Sequence, residues 1–485
     1  MSFFSELALQ YIDGEWKPGS GSWDIIDFNP YDETKLASIT VATAAEVDQA
    51  YRAAERAQVA WAGTNPYTRR TVFERALRII EEREDEIADA IVTELGGTRL
   101  KAAFELHLTK EFLREAVQLA LRPEGRIMPS PVDGKENRVY RVPVGVVGVI
   151  SPFNFPFLLS MKSVAPALAL GNAVVLKPHQ STPVCGGTLV AKVLEDAGLP
   201  AGLLNVVVTD IAEIGDALLT HPVPKVISFT GSDRVGQHVA TVCAAHFKHA
   251  VLELGGNSAL IVLDDADIDY AVDAAVFSRY VHQGQVCMAA NRILVDRRVE
   301  REFTEKFVAR VRTLRTGDPA DPATHIGPLI NTRQAEAVTA LVEQAVAAGA
   351  TALVHGDTEG SLVSPSVLTG LAPGSPLLQQ EIFGPVALLV PFDGEDEAVR
   401  IANDTPYGLS GAVHTGDVER GVRLARRVRT GMIHINDSTV HDEPVVPFGG
   451  EKRSGLGRLN GDSMVDAFTT QQWISIQHGR SGFPF

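Results

Sequence analysis

The chain has 485 residues, of which 45% are hydrophobic and 21% are charged, and this ordinary globular composition is sufficient for two or three domains. The formal net charge of −16 argues against a general nucleic-acid or acidic-membrane binder, because such proteins need a positive field. Its three cysteines are an odd number without CxxC spacing, which excludes a disulfide framework and favours a reducing compartment. A cysteine that matters here therefore acts as a single thiol.

The N-terminal residues lack a basic segment followed by an apolar one, so we expect no secretory signal. The most apolar stretches, such as the one ending at Ile150, are too short or too interrupted to cross a bilayer. We expect a cytoplasmic protein without nucleic-acid or membrane partners.

The first predicted elements are helices, from about residue 43 to 119. Thr43 and Glu46 form a capping box before an alanine-rich amphipathic run. Pro66 suits the first turn of the following helix, and Gly96 with Gly97 can end it. The region is therefore predicted to be a set of amphipathic helices.

Two segments predict exposed strands outside the main sheets. Residues 121–142 place the turn dipeptide Asp133-Gly134 between strand-capable flanks, and the tail 467–485 carries alternating β-type residues. Such strands need a partner, which a second subunit could supply. We expect a homodimer or homotetramer.

Strands and helices alternate regularly from residue 144. The predicted strands 144–150, 173–177, 203–208 and 225–229 are each followed by a helix. This is the pattern of βαβ units and favours a doubly wound nucleotide-binding sheet. A second α/β block is predicted from about 254 to 450, with strands at 258–263 and 292–296.

A glycine fingerprint for a dinucleotide is absent from the expected place after the first strand. The nearest match, Gly455-Leu-Gly457 with Gly461, follows no convincing strand and is interpreted as a loop. The turn at Thr230, Gly231 and Ser232, with Gly236 one turn later, is physically adequate for a pyrophosphate at a helix N-terminus. A purely structural turn explains this pattern equally well.

Cys287 is the cysteine whose surroundings suggest chemistry. It lies between a predicted helix and a predicted strand, so its thiol and its free backbone N–H could face the same substrate atom. The alternative is a small buried core residue, which is how Cys185 and Cys243 are interpreted. His282 precedes Cys287 by five residues, and that spacing does not share a helix face.

Two further polar residues stand in apolar surroundings. Glu253 closes an apolar strand, where a carboxylate must be partnered or have a raised pKa, and a raised pKa suits a general base. Its alternative is a salt-bridged structural residue. Asn154 follows the first core strand, and its amide could donate hydrogen bonds to an oxyanion or cap the next helix.

Seven motifs occur in a fixed order along the chain: SPFNFP, VVLKP, SFTGSxxxG, LELGGN, GQVC, EIFGP and PFGGEKRSG. Together they resemble the NAD(P)-dependent aldehyde dehydrogenases over nearly the whole chain. The resemblance implies an α/β fold with a Rossmann-type cofactor domain at 1–120 and 143–254, and an α/β catalytic domain at 255–454. A small β oligomerisation element would comprise 121–142 and 455–485.

The resemblance implies that Cys287 adds to the aldehyde and that Asn154 and the Cys287 N–H hold the resulting oxyanion. After hydride leaves for the cofactor, Glu253 would activate the water that hydrolyses the thioester. The covalent step is needed because the carbonyl carbon becomes a good hydride donor only once it is tetrahedral and anionic.

The resemblance also assigns the NAD or NADP site. Lys177 and Glu381 would hold ribose hydroxyls, and Phe383 would lie near the nicotinamide ribose. The remaining expected cofactor residues are Ser151, Phe153, Gln180, Gly231, Ser232, Gly236 and Leu254. Gln180 stands where NAD-preferring relatives often carry glutamate, and since a neutral amide does not repel a 2′-phosphate, use of both cofactors is expected.

The segment 436–450 and the chain end look similar to aromatic-aldehyde members of the family, of the benzaldehyde or vanillin dehydrogenase kind. Phe155, Phe157 and Phe448 are candidate pocket residues that could enclose a ring, although core filling explains each of them as well.

Other activities remain open from the sequence. They are oxidation of aliphatic aldehydes or semialdehydes, acyl transfer to coenzyme A or phosphate, hydrolysis by Cys287 without a redox step, and non-catalytic binding. Glu253 argues against acyl transfer, because such enzymes need no water-activating base. The aspartates from Asp264 to Asp269 lack the glycine and distal glutamate of an EF-hand, so we predict helix caps and no metal.

Overall fold

A computed structural model of the chain describes residues 3–372 and 374–485. Its strands form two large sheets, a three-stranded sheet and two short hairpins. Within these residues, no helix combines the length and apolarity needed to cross a membrane.

Strands and helices of the described residues are numbered separately, each in chain order. The strands are β1 (Gln10–Ile12), β2 (Glu15–Lys17), β3 (Asp24–Phe28), β4 (Lys35–Thr40), β5 (Arg126–Met128), β6 (Lys135–Pro143), β7 (Val146–Ile150), β8 (Ala173–Lys177), β9 (Leu204–Val206), β10 (Val226–Thr230), β11 (His249–Glu253), β12 (Ser258–Val262), β13 (Ala290–Asp296), β14 (Thr351–Val354), β15 (Thr358–Glu359), β16 (Leu362–Val363), β17 (Ser366–Thr369), β18 (Val386–Phe392), β19 (Gly411–His414), β20 (His434–Ile435), β21 (Gly455–Leu456) and β22 (Thr469–Gln477). The helices are α1 (Phe3–Glu6), α2 (Ala44–Ala62), α3 (Pro66–Glu82), α4 (Glu84–Leu95), α5 (Arg99–Leu119), α6 (Pro156–Ala169), α7 (Leu189–Asp196), α8 (Ile211–Ile214), α9 (Ala217–Thr220), α10 (Asp233–Ala245), α11 (Ile268–Tyr280), α12 (Glu300–Val311), α13 (Thr332–Ala347), α14 (Gly394–Asn403), α15 (Val418–Ala425) and α16 (Gly461–Phe468). Short turns of other helix types are Val184–Thr188, Val281–Gly284, Pro376–Leu378 and Lys452–Ser454.

The first sheet has the strand order β2-β1-β9-β8-β7-β10-β11-β21. Its five central strands, which are β9, β8, β7, β10 and β11, are parallel. The chain runs from β7 outward to β9 and then returns to place β10 on the other side of β7, so the order reverses at β7. Ligands of doubly wound sheets bind beside such a reversal, at the carboxyl ends of the strands.

One prediction about this sheet is wrong. The sequence predicts a loop at Gly455 and Leu456, but these residues form β21, the antiparallel edge strand beside β11. Gly455 pairs with Glu253, and a Cβ at Gly455 would approach the Leu252 carbonyl within 2.5 Å. The glycine therefore permits close strand pairing at the end of β11.

The predicted N-terminal helices are confirmed as α2 to α5. The backbone N–H of Thr43 donates to Glu46 Oε2 at 2.9 Å, as a capping box requires. Pro66 occupies the first turn of α3, and Gly96 ends α4 in the left-handed region with φ 72°. The region predicted as one helix from Pro66 to Gly96 is broken at Arg83 into α3 and α4.

The second α/β block is confirmed as a seven-stranded sheet with the order β14-β17-β18-β13-β12-β19-β20. All of its neighbouring strands are parallel except β14. Strand β13 is buried along all seven residues, as expected of a central parallel strand covered on both faces.

The two exposed-strand segments pair within the chain. Strand β22 pairs antiparallel with β6 over nine residues, and β5 pairs with the other edge of β6. The partners that β6 needs are therefore supplied within the chain, and association with a second subunit stays a prediction. Ile127 is 77% exposed and Trp473 is 66% exposed on this sheet.

The fold brings the predicted polar residues to one edge of the first sheet. Parallel pairing places Ile150, Lys177, Thr230 and Glu253 at the ends of four adjacent strands. Asn154 follows the first of these ends by four residues. Because the carboxyl ends of parallel strands meet at one sheet edge, the loops that follow them converge there.

Candidate active site

The segment before Cys287 has an unusual backbone. His282 and Gln283, with φ of 51° and 56°, lie in the left-handed region, which non-glycine residues rarely adopt. Gln283 Nε2 donates to the carbonyls of Gly96 and Pro328, at 3.0 and 2.9 Å. Gln285 Oε1 accepts from the Ile330 N–H at 3.0 Å. These contacts impose a conformation that the isolated segment would not favour.

Cys287 lies just before β13, as predicted, and its side chain lines a cleft at the carboxyl edge of the first sheet. Among residues 3–372 and 374–485, no acceptor takes its backbone N–H. Burial raises the pKa of the Cys287 thiol to about 12, with Glu381 and Glu253 adding to the effect and Lys162 opposing it. Formation of the thiolate therefore needs a base that takes its proton or a positive charge near the sulfur.

Asn154 is buried between β7 and α6 and lines the same cleft as Cys287. Its Nδ2 donates to the carbonyl of Gln285 at 3.0 Å. That hydrogen bond fixes the amide against residues 281–287, which we call the nucleophile segment. It leaves the second N–H of the Asn154 amide for a ligand. Helix α6 is fixed in turn by Glu105, whose Oε1 accepts from the N–H groups of Phe157 and Leu158 at 2.9 and 3.1 Å.

Glu253 ends β11 and also lines the cleft. The carboxylate is partnered and its pKa is also raised, so its role as a general base stays a prediction. Burial raises the pKa of Glu253, while the ammonium of Lys162 lowers it and Asp442 raises it. The distance from Lys162 Nζ to Glu253 Oε1 is 3.5 Å.

The two glycines after Glu253 permit two different close approaches. A Cβ on Gly255 would lie 2.8 Å from Glu381 Cδ, and a Cβ on Gly256 would clash with the carbonyl of Cys287. The Gly256 N–H donates to Glu381 Oε1 at 3.1 Å. The motif LELGGN therefore places Glu381 and Cys287 against the end of β11.

The cleft itself has a volume of about 510 Å³. The predicted cofactor residues that line it are Ser151, Phe153, Lys177, Gln180, Gly231, Ser232, Leu254, Glu381 and Phe383. Asn154, Glu253 and Cys287 share its lining. The sequence motifs are thus brought to one cavity from two different sheets.

Gly236 is placed differently from its prediction, because it does not line the cleft. A Cβ at Gly236 would lie 2.7 Å from Leu254 Cδ1, so the glycine lets α10 pack closely on Leu254. It therefore supports the cleft wall from behind.

The turn before α10 contains Gly231 and Ser232. The N–H of Gly231 donates to the Glu253 carbonyl at 3.0 Å. Ser232 is the N-cap of α10 and lines the cleft. The helix N-terminus therefore remains available to an anion through Ser232.

Lys177 projects from the end of β8 into the cleft, and its Nζ donates weakly to the Pro178 carbonyl at 3.4 Å. Burial lowers the pKa of Lys177. Burial also lowers the pKa of the neighbouring His179 to about 4, with the Lys177 charge contributing. A half-buried ammonium with so weak a hydrogen bond suits a ligand rich in hydroxyl or phosphate oxygens.

Glu381 and Phe383 are attached to the nucleophile segment by Arg279. This fully buried residue donates through Nη2 to the carbonyls of Gly284, Ile382 and Gly384, at 3.0, 3.0 and 2.6 Å. Burial raises the pKa of Glu381 to about 7. The cleft wall and the nucleophile loop are therefore one connected unit.

The three predicted pocket phenylalanines do not line the 510 Å³ cleft. Phe157 is fully buried, which fits the core interpretation. Phe155 packs edge-on against Phe104 and His282, and the Phe448 ring lies 3.5 Å from Lys162 Nζ.

The sequence interpretation overlooked Lys162, Asp442 and Arg279. Lys162 stands alone as a charged residue within the apolar helix PFLLSMKSVAPALA, and this is a signal that a lysine is held for a purpose. Arg279 and Asp442 carry no comparable local signal. Cys185 and Cys243 are buried as predicted, and His282 packs on Phe155.

Comparison with known proteins agrees with this geometry. The profile of the aldehyde dehydrogenase family matches residues 16–474. The chain is 57% identical to a benzaldehyde dehydrogenase of Bacillus subtilis (strain 168), over 99% of both chains. It is 46% identical to a vanillin dehydrogenase of Corynebacterium glutamicum, over 96% of this chain and 97% of that one.

The fold also matches a solved structure of similar sequence. The crystal structure of an NAD-dependent benzaldehyde dehydrogenase from Corynebacterium glutamicum superposes with a TM-score of 0.90. It is 43% identical in sequence, and the match covers 97% of this chain and 98% of that one.

Proposed function

The chain belongs to the aldehyde dehydrogenase family, and from this premise we propose that it oxidises aromatic aldehydes of the benzaldehyde or vanillin kind to their acids, with NAD or NADP. The observation that carries the proposal is the convergence of Cys287, Asn154 and Glu253 on one long cleft. The names of the similar proteins support the aromatic substrate.

The first chemical step is addition of the Cys287 thiolate to the aldehyde carbon. The carbonyl oxygen becomes an oxyanion, which accepts hydrogen bonds from the second amide N–H of Asn154 and from the backbone N–H of Cys287. Preorganised donors of this kind are worth about 3 kcal/mol each to the transition state. Asn154 needs no rearrangement, since Gln285 already holds its amide.

The cleft fits a dinucleotide. Lys177 presents a half-buried ammonium that donates weakly to the Pro178 carbonyl. Ser232 caps a helix whose N-terminus faces the cleft, and Phe153 and Phe383 form an edge-to-face pair at 5.8 Å. Lys177 and Glu381 would hold ribose hydroxyls, and Ser232 would meet the pyrophosphate. When bound, NAD or NADP accepts the hydride from the thiohemiacetal carbon, leaving a thioester on Cys287.

Hydrolysis of the thioester completes the reaction. Glu253 takes a proton from water, the hydroxide oxygen bonds to the acyl carbon, and the Cys287 sulfur leaves as thiolate. A buried carboxylate in this place favours the acid as product over an acyl group passed to another carrier. We propose further that residues 1–120 and 143–254 bind cofactor, that 255–454 carry catalysis, and that the protein is a cytoplasmic homo-oligomer.

An assay of reduced cofactor tests the proposal directly. Purified protein is mixed with NAD or NADP and with benzaldehyde, vanillin or a short aliphatic aldehyde, and absorbance of the reduced cofactor is followed. We expect the highest kcat/KM with an aromatic aldehyde and release of the acid without coenzyme A. No reduction with any aldehyde would refute the proposal, and reduction that needs coenzyme A would refute the hydrolytic step.

Two variants assign the steps. Cys287→Ser is expected to lose about a thousandfold or more in kcat, because a hydroxyl replaces the thiolate. Glu253→Gln is expected to give one equivalent of reduced cofactor in a burst and then slow turnover, since only hydrolysis needs the base. Full steady activity in either variant would remove its assigned role.

A further inference from the structure

We propose that Lys162, held by Asp442, is a positioning residue for Glu253: its ammonium keeps the carboxylate ionised without occupying the oxygens that must receive a proton from water. This inference rests on the proposed function and adds to it a pair that the catalytic assignments leave out.

The geometry places one buried cation between two carboxylates. Lys162 Nζ lies 2.9 Å from Asp442 Oδ2 and 3.5 Å from Glu253 Oε1, and the three side chains are at most 7% exposed. The ammonium also lies 3.5 Å from the centre of the Phe448 ring. The lysine is therefore fixed from three sides by the end of β11 and by the segment 436–450.

Packing alone does not account for Lys162. Met161 and Val164 beside it on α6 are fully buried and apolar, and an apolar residue of similar volume would fill the same place. A buried ion pair is often no more stabilising than such a residue. A lysine that carries this desolvation cost beside the candidate base indicates a role in the chemistry.

The difference between the two distances is the central feature. Asp442 takes the direct hydrogen bond from Lys162, and Glu253 Oε1 has no hydrogen-bond partner among the described residues. Asp442 is itself held, because Asn460 Nδ2 donates to its Oδ1 at 2.8 Å. The chain Asn460–Asp442–Lys162 thus keeps the ammonium close enough to act by charge and leaves Glu253 free to accept a proton.

The charged and titratable groups around Glu253 come from four places. Lys162 lies on α6, Asp442 on the segment 436–450, and Cys287 on the nucleophile segment. The fourth group is Glu381, which lies on the loop before β18 and faces Cys287. Burial raises the pKa of Glu253, Lys162 lowers it and Asp442 raises it. Lys162 also opposes the raised pKa of the Cys287 thiol. Loss of the ammonium should therefore leave Glu253 protonated to a higher pH.

The test is the pH profile of kcat, together with the first-turnover burst of reduced cofactor, for purified Lys162→Met and Lys162→Arg. For Lys162→Met we expect the acid limb of the kcat profile to move up by about one pH unit, so that steady turnover on that limb is about tenfold lower. The first turnover should then release a burst of reduced cofactor, because hydrolysis of the thioester becomes the slow step. Lys162→Arg keeps the charge, and its acid limb should stay near that of the unmutated enzyme.

Asp442→Asn supplies a second, opposite test. Removing one negative charge and freeing the ammonium to bond Glu253 directly should move the acid limb down and slow hydrolysis at neutral pH. If Lys162→Met does not fold, the acid limb of Asp442→Asn alone decides whether Lys162 and Asp442 control the charge of Glu253.

Acid limbs of Lys162→Met and Asp442→Asn that coincide with that of the unmutated enzyme would overturn the inference and make the pair structural. Failure of the unmutated enzyme to reduce cofactor with any aldehyde would instead overturn the proposed function, so the two failures are distinguishable.

Discussion

Single residues at the cleft act through charge as much as through shape. Gln180 is exposed and lines the cleft, where the expected adenosine half of a dinucleotide would lie near Lys177. Its amide is neutral, so it neither attracts nor repels a 2′-phosphate. Discrimination between NAD and NADP at this position should therefore depend on the presence of a carboxylate.

Gln180→Glu is expected to lower kcat/KM for NADP at least about tenfold relative to NAD, because like charges brought together cost several kcal/mol. The measurement is kcat/KM for each cofactor at saturating aldehyde. Gln180→Met is the matched control, since it changes the group without adding charge. If the ratio of kcat/KM for NADP to kcat/KM for NAD is unchanged in Gln180→Glu, the 2′-phosphate does not lie beside residue 180.

The residue types at the site were predictable, but their partners were not. Glu253 stands out in the sequence because a carboxylate in an apolar strand needs a reason, and both alternatives follow from that pattern. The reason is Lys162, which lies on α6 far earlier in the chain, and no local pattern connects the two. Gly231 is a second such case, since its N–H donates to the Glu253 carbonyl and no local pattern indicates that partner.

At the scale of elements, Arg279 joins the end of α11 to the loop before β18. Its guanidinium donates to three carbonyls and to the Asn291 side chain. One buried side chain therefore joins the nucleophile segment to the wall that carries Glu381. The left-handed His282 and Gln283 lie inside the region that this arginine fixes.

Arg279→Met is expected to lower the free energy of unfolding by about 3 kcal/mol, because several buried acceptors lose their donor. It should also raise KM for the cofactor. Urea denaturation followed by circular dichroism measures the first effect, and exposed Arg301→Met is the control. Equal stability of the two variants would contradict the role of Arg279 as a connecting residue.

The order of helices and strands was largely predictable from the sequence. The boundaries of β8 and β13 lie within about two residues of those expected, because runs of apolar residues and flanking turns mark them. Strand β21 was not predictable, since two residues at a sheet edge carry no periodicity. The break between α3 and α4 at Arg83 was not predictable either, because the surrounding sequence pattern favours a helix on both sides of it.

At the scale of the whole molecule, the sheet of β5, β6 and β22 stands apart from the two large sheets. Its strands find their partners within the chain, and yet Ile127 and Trp473 remain largely exposed. They lie on opposite faces of the sheet, since Ile127 pairs with Arg138 and Trp473 pairs with Val139. Exposed large apolar side chains favour contact with another protein surface. We propose that this sheet is where subunits associate.

Trp473→Lys is expected to reduce the assembled mass, because a charge would be buried at the contact. Sedimentation velocity of the purified proteins measures the mass of the assembly. Val59→Lys on α2 is the control, since Val59 is 72% exposed and lies outside the sheet of β5, β6 and β22. A monomeric unmutated protein, or an unchanged mass in Trp473→Lys, would contradict subunit association through this sheet.

The sequence by itself determined the order of the elements, the resemblance to aldehyde dehydrogenases and the identity of Cys287, Asn154 and Glu253 as candidate catalytic residues. These follow from periodicity and from motifs, which are local in the chain. Only the tertiary structure decided that Gly236 packs on Leu254, that β6 pairs with β22, and that Lys162 and Asp442 stand beside Glu253. Those contacts join residues distant in sequence, and their energies depend on burial and separation, which no local pattern contains.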